Sequence, residues 1–541
     1  MVYPAWVSTI GISSPPRADV YALLGRLDRH KNRWVEVGCE GRIRYLEHCI
    51  RGVLDVSETW VREACTRKQI DPDSPDAGEE WLSGPMTTIR SLRLYADALR
   101  HDGRPKPPGM RPGPGDRTIV RVFPANTIDR FLYYNMTGDL WIQPGKPATQ
   151  GRIYREKDEG HPSPGRVALV LGAGNIASIG PLDVAQKLFV EDQVVVLKMN
   201  PVNEYLGPIL ERAFASLVDD GYLAIVYGDK EMGRYLCQHD RVSTIHLTGS
   251  DRTYDAIVWG ETPEEQTRRK SAGDPLVTKP FTAELGCVTP VVVVPGEWSE
   301  ADLDFQARHV ASMVAHNASF NCTAAKVLIL PRDWSLRGAF LDRVREQMRR
   351  AAARHAYYPG ASERYDAFLE HYPQAEPLGG GESVPWTLIP DVDPETDDYA
   401  LTREAFCGVL AEVSLPGEDT DSYLDTAVSF TNDRVWGDLS CVILVDGATR
   451  RTHARGFGDA IARLRYGGIG INVWTGVNFG LGATSWGPFP GNTPEVIGSG
   501  ISTVHNTYLF DYPEKSVVSA PFRIRPKPVW FAGHRSLDTL G

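Results

Sequence analysis

The chain has 541 residues, with 58 Lys and Arg against 69 Asp and Glu, so its formal net charge is −11. Hydrophobic residues make up 42% and charged residues 23%, the balance of a globular protein long enough to bury several cores. At about 150 residues per domain, this length indicates roughly three structural units. The basic clusters at 268–270 and 343–354 are short and have acidic neighbours. Nucleic acid is therefore not expected as a partner, because phosphate contacts need a clustered basic surface.

No stretch approaches the roughly 18 apolar residues of a membrane span. Residues 1–20 lack the basic and apolar regions of a secretion signal. The eight cysteines are scattered, with no C-x-x-C pair and no His at zinc-finger spacing. This distribution favours free thiols in a reducing compartment over disulfides or a zinc site. We therefore expect a cytoplasmic protein without a bound metal.

The first part of the chain is predicted to be helical. Apolar residues recur at helical spacing through 18–100, and the Pro- and Gly-rich stretch 101–116 must end that region. The segments 118–124 and 138–145 are then predicted as strands, because each is apolar and bounded by turn residues.

From residue 166 onward, short apolar runs alternate with amphipathic segments. The first such region has predicted strands at 166–175, 193–201, 222–229 and 243–250, with helices at 181–190 and 205–221. The second has predicted strands at 289–296, 324–331, 440–446 and 469–473, with helices at 301–318, 337–354 and 457–467. Alternation of this kind predicts two α/β domains with doubly wound parallel sheets. The catalytic site is expected in the crevice between them.

Seven short motifs near the ends of these predicted elements contain residues suited to chemistry. They are Asn175 after a strand; Lys198 followed by Pro201; Thr248-Gly249-Ser250; AELG with Glu284; SFNCTAAKVLILP with Cys322; EAFCGVL with Glu404 and Phe406; and INVWTG with Asn472. The glycine-rich run LGAGNIASIG is not a G-x-G-x-x-G fingerprint and is weak by itself.

In this order the motifs resemble the aldehyde dehydrogenase superfamily, over roughly residues 35–520. The separations from Glu284 to Cys322 and from Asn175 to Glu284 are close to those of that family. The resemblance implies an α/β fold with a Rossmann-type cofactor domain, a catalytic domain and a small β oligomerisation element. The implied division is 1–117 for the N-terminal helices of the cofactor domain, 118–148 for the oligomerisation strands, 149–286 for the NAD(P)-binding domain, 287–485 for the catalytic domain and 486–541 for the C-terminal return and oligomerisation tail.

Three residues are the candidates for catalysis. Cys322 lies in a small, polar stretch where a thiol stays accessible, and aldehyde oxidation needs a thiolate to attack the carbonyl. The resemblance assigns oxyanion stabilisation to the side chain of Asn175 and the backbone N–H of Cys322. Glu284 is acidic in an apolar run, which suits activation of a hydrolytic water. The structural alternatives are a small buried cysteine, a turn asparagine and a solvent-facing glutamate.

The resemblance also implies a site for NAD or NADP. It assigns cofactor contacts to Lys198, Gly249, Ser250, Leu285, Glu404 and Phe406. Pro201 stands where many NAD-using relatives have a Glu that repels a 2′-phosphate, so the choice of cofactor stays open. Tyr254 near a missing glycine and an insertion at 261–275 put the geometry of the cofactor loop in doubt.

The function favoured by these residues is oxidation of an aldehyde to a carboxylic acid with NAD(P), through a thioester on Cys322 that Glu284-activated water hydrolyses. A CoA-acylating dehydrogenase and a non-catalytic scaffold are the alternatives. Trp474 and Phe479 give a weak preference for an apolar or aromatic aldehyde. The strands within 118–145 and the tail 502–522 match the region that relatives use to oligomerise, so a homodimer or homotetramer is expected.

Overall fold

The computed structural model describes residues 15–380, 384–396 and 398–534. Its strands form two sheets. In chain order they are β1 Gly109–Gly113, β2 Arg117–Phe123, β3 Thr137–Ile142, β4 Arg166–Leu171, β5 Gln193–Lys198, β6 Leu223–Val226, β7 Thr244–Thr248, β8 Phe281–Glu284, β9 Thr289–Val293, β10 Ala325–Pro331, β11 Glu376–Gly380, β12 Pro385–Ile389, β13 Val409–Leu415, β14 Ser440–Leu444, β15 Gly468–Ile471, β16 Gly500–Ile501 and β17 Pro513–Ser519.

Helices pack on both sheets. They are α1 Arg17–Glu36, α2 Cys39–Lys68, α3 Gly78–Trp81, α4 Thr87–Arg100, α5 Thr127–Leu132, α6 Arg152–Asp158, α7 Ile179–Phe189, α8 Gly207–Ala213, α9 Ala215–Asp219, α10 Lys230–Gln238, α11 Asp251–Val258, α12 Pro263–Ala272, α13 Glu300–Ala315, α14 Arg337–Arg350, α15 Ala361–His371, α16 Tyr399–Thr402, α17 Thr420–Arg434, α18 Gly447–Thr452, α19 Ala454–Arg463 and α20 Gly476–Leu481. The remaining helical turns are Pro75–Ala77, Leu82–Met86, Glu204–Leu206 and His316–Ser319.

The smaller sheet has six strands in the order β16-β8-β7-β4-β5-β6. All its pairs are parallel except the short β16, which pairs antiparallel with β8. Its central strands are buried on both faces, as parallel strands between helices must be. The strand order reverses beside β4, and the carboxyl ends of β4 and β7 therefore border a crevice.

The larger sheet has eleven strands in the order β1-β2-β3-β17-β15-β14-β9-β10-β13-β12-β11. Its middle is parallel, and antiparallel strands complete both edges. The predicted oligomerisation strands are β2 and β3, and the tail strand β17 joins them to the parallel strand β15. The mixed α/β fold predicted from the sequence is confirmed. The predicted domain boundaries stay a prediction, and residues 1–14 and 535–541, at their outer ends, lie outside the described residues.

One predicted helix differs from the structure. The segment 205–221 forms a 3₁₀ turn followed by α8 and α9, instead of a continuous helix. Pro208 stands in the first turn of α8, where its fixed φ suits a helix start but not a helix interior. Phe214 leaves the helical region between the two helices, with φ −107° and ψ 24°.

Candidate active site

The crevice between the sheets holds a cavity of about 1130 Å³. Both sheets contribute to its walls, through the loops that follow β4, β5 and β7 and those that precede β10 and β13. All nine residues predicted from the sequence as catalytic or cofactor-binding line it: Asn175, Lys198, Gly249, Ser250, Glu284, Leu285, Cys322, Glu404 and Phe406. The fold therefore brings together residues that are up to 231 positions apart in the chain, from Asn175 to Phe406.

Cys322 follows a loop with unusual backbone geometry. Asn317, Ala318 and Ser319 have φ values of 52°, 54° and 70°, a left-handed conformation that residues other than glycine rarely adopt. Helix α13 ends just before this loop, and β10 begins three residues after Cys322. Three such residues in succession store strain, and strain of this kind concentrates at functional sites. The loop holds the thiol half-buried at the cavity wall.

The Cys322 thiol donates a hydrogen bond to the Glu284 carboxylate. Glu284 ends β8 and is only 3% exposed, so it is not a solvent-facing edge residue. Burial raises its pKa to about 8, against a lowering by the Cys322 hydrogen bond, and the carboxylates of Asp183 and Glu404 add to the increase. Burial, with the charges of Glu284 and Glu404, also raises the pKa of Cys322. With a pKa of about 8, part of the Glu284 population is ionised near neutral pH, and in that form Glu284 can accept the proton of the Cys322 thiol.

The side chain of Asn175 lies against the nucleophile loop, residues 316–323, which contains the candidate nucleophile Cys322. Its Nδ2 donates to the carbonyl of Phe320 at 2.9 Å, two residues before Cys322. Its main-chain carbonyl accepts two hydrogen bonds, from Lys68 Nζ at 3.3 Å and from the Tyr357 hydroxyl at 3.1 Å. The Asn175 amide is thus fixed on the loop that contains Cys322, and both residues line the same cavity.

Glu404 reaches into the same cavity from the loop before β13. Its carboxylate packs against Gly286, where a Cβ would overlap it, and it accepts a hydrogen bond from the Cys287 N–H. Burial raises its pKa to about 7, although the Lys326 ammonium opposes that shift. Its Oε1 is buried and has no hydrogen-bond partner among the described residues. This free acceptor is available to a ligand in the cavity.

The remaining predicted cofactor residues line the other end of the cavity. Gly249 and Ser250 follow β7, and the Ser250 hydroxyl caps helix α11 by accepting from the Thr253 N–H at 3.2 Å. A helix N-terminus at a cavity wall attracts anions such as phosphate. Lys198 ends β5, and burial lowers its pKa while the carboxylates of Asp229 and Glu204 oppose that shift.

The departures from the family pattern do not block the cavity. Tyr254 is buried and packs edge-on against Phe281, with ring centroids 5.1 Å apart, so it fills the core. The insertion at 261–275 forms helix α12, capped by Thr262. It brings Glu261 and Glu265 to the cavity wall, where Glu261 pairs with Arg234.

Several functional candidates were not found from the sequence. Lys326 is 4% exposed, and its ammonium donates to the Ser319 hydroxyl at 2.9 Å and to the Cys407 carbonyl at 3.3 Å. It therefore joins the nucleophile loop to the loop after Glu404. Arg364, on α15, donates to the carbonyls of Ala405 and Phe406. These hydrogen bonds stabilise the loop that carries Glu404. Lys326 lies in the SFNCTAAKVLILP motif and Arg364 lies in none, but in neither case does the sequence indicate the partners of the side chain.

The two aromatic residues proposed for the substrate pocket lie elsewhere. Trp474 stacks on His316 at 4.6 Å, and its Nε1 donates to the Thr323 carbonyl at 2.8 Å. Phe479 packs against Trp486 and His505. Neither lines the cavity, so they do not support a preference for an apolar aldehyde.

Three further features concern the described part of the chain as a whole. Its eight cysteines are all free thiols. Among residues 15–380, 384–396 and 398–534, no three His, Cys, Asp or Glu side chains are grouped to hold a metal ion. No helix in the same ranges is both long and apolar enough to span a membrane.

Comparison with known proteins identifies the fold. Residues 188–360 match the model of the aldehyde dehydrogenase family. A solved indole-3-acetaldehyde dehydrogenase of Pseudomonas syringae, in complex with NAD+, superposes with a TM-score of 0.64 over 94% of this chain and 90% of that one, at 16% identity. A glyceraldehyde-3-phosphate dehydrogenase of Methanocaldococcus jannaschii, in complex with NADP, superposes with a TM-score of 0.61 over 94% and 95%, at 13% identity. The chain has the aldehyde dehydrogenase fold.

The resemblance read from the sequence is thereby confirmed. Among curated sequences, N-succinylglutamate 5-semialdehyde dehydrogenase of Burkholderia mallei (strain SAVP1) is 28% identical over 154 residues, 28% of this chain and 27% of that protein. The match thus spans about a quarter of the length of this curated relative. The region that matches the family model contains Lys198, Glu284 and Cys322. Asn175 and Glu404 lie outside that region.

Proposed function

We propose that the protein is an NAD(P)-dependent aldehyde dehydrogenase that oxidises an aldehyde to a carboxylic acid by way of a thioester on Cys322. The observation that carries this proposal is the contact between the Cys322 thiol and the Glu284 carboxylate in one cavity, where burial raises the pKa of Glu284 to about 8. A nucleophile beside a strong base is the arrangement that covalent catalysis needs.

In the first step the Cys322 sulfur attacks the aldehyde carbon. The thiol proton passes to Glu284, the S–C bond forms and the carbonyl electron pair moves to oxygen. The Asn175 side-chain N–H and the Cys322 backbone N–H stabilise that oxyanion. One such donor is typically worth about 10²–10³ in rate. The Lys68 and Tyr357 hydrogen bonds behind Asn175 hold its main chain in place for this task.

The cavity fits a dinucleotide. Glu404 Oε1 is an unpaired buried acceptor that suits a ribose hydroxyl, and the N-terminus of α11 suits a pyrophosphate. When bound, NAD+ or NADP+ would supply the hydride acceptor that converts the thiohemiacetal on Cys322 into a thioester. Lys198, Gly249, Ser250, Leu285 and Phe406 would hold the cofactor with Glu404.

Hydrolysis then releases the acid. Glu284 gives up the proton it received and takes one from a water molecule, which attacks the thioester carbon. The C–S bond breaks, the carboxylic acid leaves and Cys322 regains its proton. A base whose pKa lies near 8 is strong enough to assist this step at neutral pH.

The strand end at Pro201 allows the use of either cofactor. Pro201 itself presents no carboxylate to repel a 2′-phosphate, although Asp229, Glu261 and Glu265 line the same cavity. Arg234 lines the same region, but Glu231 and Glu261 already pair with it. We therefore propose that both NAD and NADP bind and that relative affinity depends on how freely Arg234 leaves its partners.

The test is stopped-flow measurement of reduced-cofactor formation with a panel of aldehydes and each cofactor, with and without CoA. Steady turnover without CoA is expected for the wild type and lost in Cys322→Ala and Glu284→Gln. Cys39→Ser is the control, because Cys39 is half-buried like Cys322 but lies outside the cavity. Equal loss in the Cys39 variant would contradict a specific role for Cys322.

The same experiment decides between the alternatives. A single burst that turns over only with CoA would identify a CoA-acylating enzyme; the burial of Glu284 beside Cys322 favours hydrolysis. No turnover and no cofactor binding would favour a scaffold protein. We also propose a homodimer or homotetramer, on the basis of the exposed apolar residues of α5 beside β2 and β3.

A further inference from the structure

A cluster of ionisable side chains lies buried between α7 and the strands β7 and β8, and the mechanism above does not use it. Asp183 and Lys187 on α7 are each 1% exposed, and His246 on β7 is 2% exposed. His505, from the segment before β17, is 9% exposed. Burying so many polar groups is costly unless each finds a partner, which directs attention to their hydrogen bonds.

The hydrogen bonds form a chain that ends on Asp183. Lys187 Nζ lies 3.0 Å from Thr282 Oγ1, which lies 2.9 Å from His246 Nδ1. His246 Nε2 lies 3.1 Å from Thr248 Oγ1, and that hydroxyl donates to Asp183 Oδ2 at 3.0 Å.

Part of this chain has a fixed direction. The Lys187 ammonium can only donate, to Thr282 and also to Glu191 Oε2 at 2.7 Å, and the Thr282 hydroxyl donates to the Ile245 carbonyl at 3.4 Å. Because Thr248 donates its only proton to Asp183, it accepts from His246 Nε2. At the other carboxylate oxygen, His505 Nε2 lies 3.0 Å from Asp183 Oδ1. Asp183 therefore has polar partners at both oxygens, Thr248 at Oδ2 and His505 with His246 at Oδ1, an arrangement that suits an ionised carboxylate.

Asp183 lies beside the base of the active site. Its partner Thr248 is the register neighbour of Glu284 on the adjoining parallel strand, so the two side chains project from the same face. Its partner His505 pairs through the main chain with Trp486, whose side chain donates to the Glu284 carboxylate. Two of the residues that hold Asp183 thus border Glu284 on different sides.

We propose that Asp183 is a positioning residue for the base: its fixed negative charge opposes the ionisation of Glu284 and so makes Glu284 a strong proton acceptor beside Cys322. The inference rests on the proposed function, in which Glu284 acts as that acceptor. Two carboxylates whose surroundings drive their proton affinities apart are a recurrent arrangement in acid–base catalysis.

The pKa directions agree with this arrangement. Burial alone would raise the pKa of Asp183, but the charge and hydrogen bond of His246, and those of His505, hold it below its usual range. Two carboxylates face Glu284, Asp183 from α7 and Glu404 from the loop before β13. The Cys322 thiol and the Trp486 N–H face it from the nucleophile loop and from the segment after α20. Lys326 of β10 in turn faces Glu404. Only Asp183 among these is a carboxylate held ionised by hydrogen bonds at both oxygens.

The test measures the rate at which iodoacetamide alkylates Cys322 as a function of pH, with the modified peptide quantified by mass spectrometry. Alkylation accelerates when the Cys322–Glu284 pair loses its first proton. In Asp183→Asn we expect the midpoint of this rise to move down by about one pH unit, which makes the rate about tenfold higher at a pH below both midpoints. Glu284→Gln should lose this rise.

Asp192→Asn is the matched control. Asp192 is also a buried carboxylate, 1% exposed, but it pairs with Arg42 away from Glu284. Its midpoint should equal that of the wild type. Equal midpoints in Asp183→Asn and the wild type would overturn the inference. If Asp183→Asn does not unfold cooperatively, Asp183→Ser replaces it with the same expected shift.

The assay needs neither aldehyde nor cofactor, which separates the inference from the proposed function. A shifted midpoint in a protein that oxidises no aldehyde would support the inference and contradict the activity. Turnover with an unshifted midpoint would support the activity and overturn the inference.

Discussion

At the scale of single residues, the raised pKa of Glu284 makes the free energy of unfolding depend on pH. A carboxyl group with a usual pKa of 4.5 is buried where its pKa is about 8. Between these two pH values the folded protein holds one more proton than the unfolded chain at this site. The free energy of unfolding must then fall as pH rises through that window, by about 1.4 kcal/mol per pH unit for this group.

Glu284→Gln should therefore be more stable than the wild type at high pH, although the proposed mechanism predicts that it is inactive. The glutamine cannot ionise, so the difference in the free energy of unfolding should grow as pH rises from about 5 to 8 and level off above. Urea unfolding of both proteins at several pH values measures it. Glu404 also has a raised pKa, but it is present in both proteins and its effect cancels. A difference that stays constant with pH would show that Glu284 ionises freely in the folded protein.

Candidate site residues that stand in short motifs could be predicted from the sequence, whereas residues whose role depends on buried contacts with distant partners could not. Cys322, Glu284 and Asn175 could be singled out because each stands in a short, characteristic context at a strand end. Asp183 could not, since it stands in a stretch that predicts only a helix, and Lys326 could not, since the motif around Cys322 gives no sign of what the lysine contacts. Their importance depends on partners more than 60 positions away, such as Thr248 for Asp183 and Cys407 for Lys326.

At the scale of elements, periodicity predicted the strands well and the irregular segments poorly. Strands such as β4, β5 and β10 lie within their predicted ranges because a run of β-branched and apolar residues between turns has few other solutions. The break between α8 and α9 and the left-handed turn at 317–319 have no such pattern. Neither is predicted by periodicity, and the second of them places the Cys322 thiol at the cavity wall.

The turn after β8 provides an element-scale prediction. A Cβ at Gly286 would overlap the Glu404 carboxylate, so Gly286→Ala should push Glu404 away from the Cys287 N–H. Since Glu404 is proposed to grip a ribose, we expect the dissociation constant for NAD+ to rise about tenfold, or about 1.4 kcal/mol. Isothermal titration calorimetry on the purified protein measures it.

The control for this change is Gly338→Ala, on α14, where nothing lies within 4 Å of the added Cβ. It should leave cofactor affinity unchanged, and Glu404→Gln should reproduce part of the Gly286→Ala effect. Unchanged affinity in Gly286→Ala would show that the position of Glu404 does not matter for the cofactor.

At the scale of the whole molecule, the two sheets contribute different groups to the cavity. The six-stranded sheet presents strand ends and a helix N-terminus to the cavity, and the eleven-stranded sheet presents the thiol. The antiparallel strands β1 to β3 extend the larger sheet away from the cavity through β17. Residues of these strands do not line the cavity, and the oligomerisation predicted for that region stays a prediction.

The surface beside these strands supports a prediction about assembly. Within and just after α5, Ile128, Phe131, Leu132 and Tyr134 are 69%, 84%, 62% and 68% exposed. A cluster of large apolar side chains on the surface is costly in water and typical of a protein–protein interface. We expect sedimentation velocity to show a dimer or tetramer for the wild type and a smaller species for Phe131→Asp. Val496→Asp, at an isolated apolar residue that is 72% exposed, should sediment as the wild type does.

If Phe131→Asp and Val496→Asp both sediment like the wild type, the contact between subunits lies elsewhere, since a buried unpaired carboxylate at the interface would weaken association strongly.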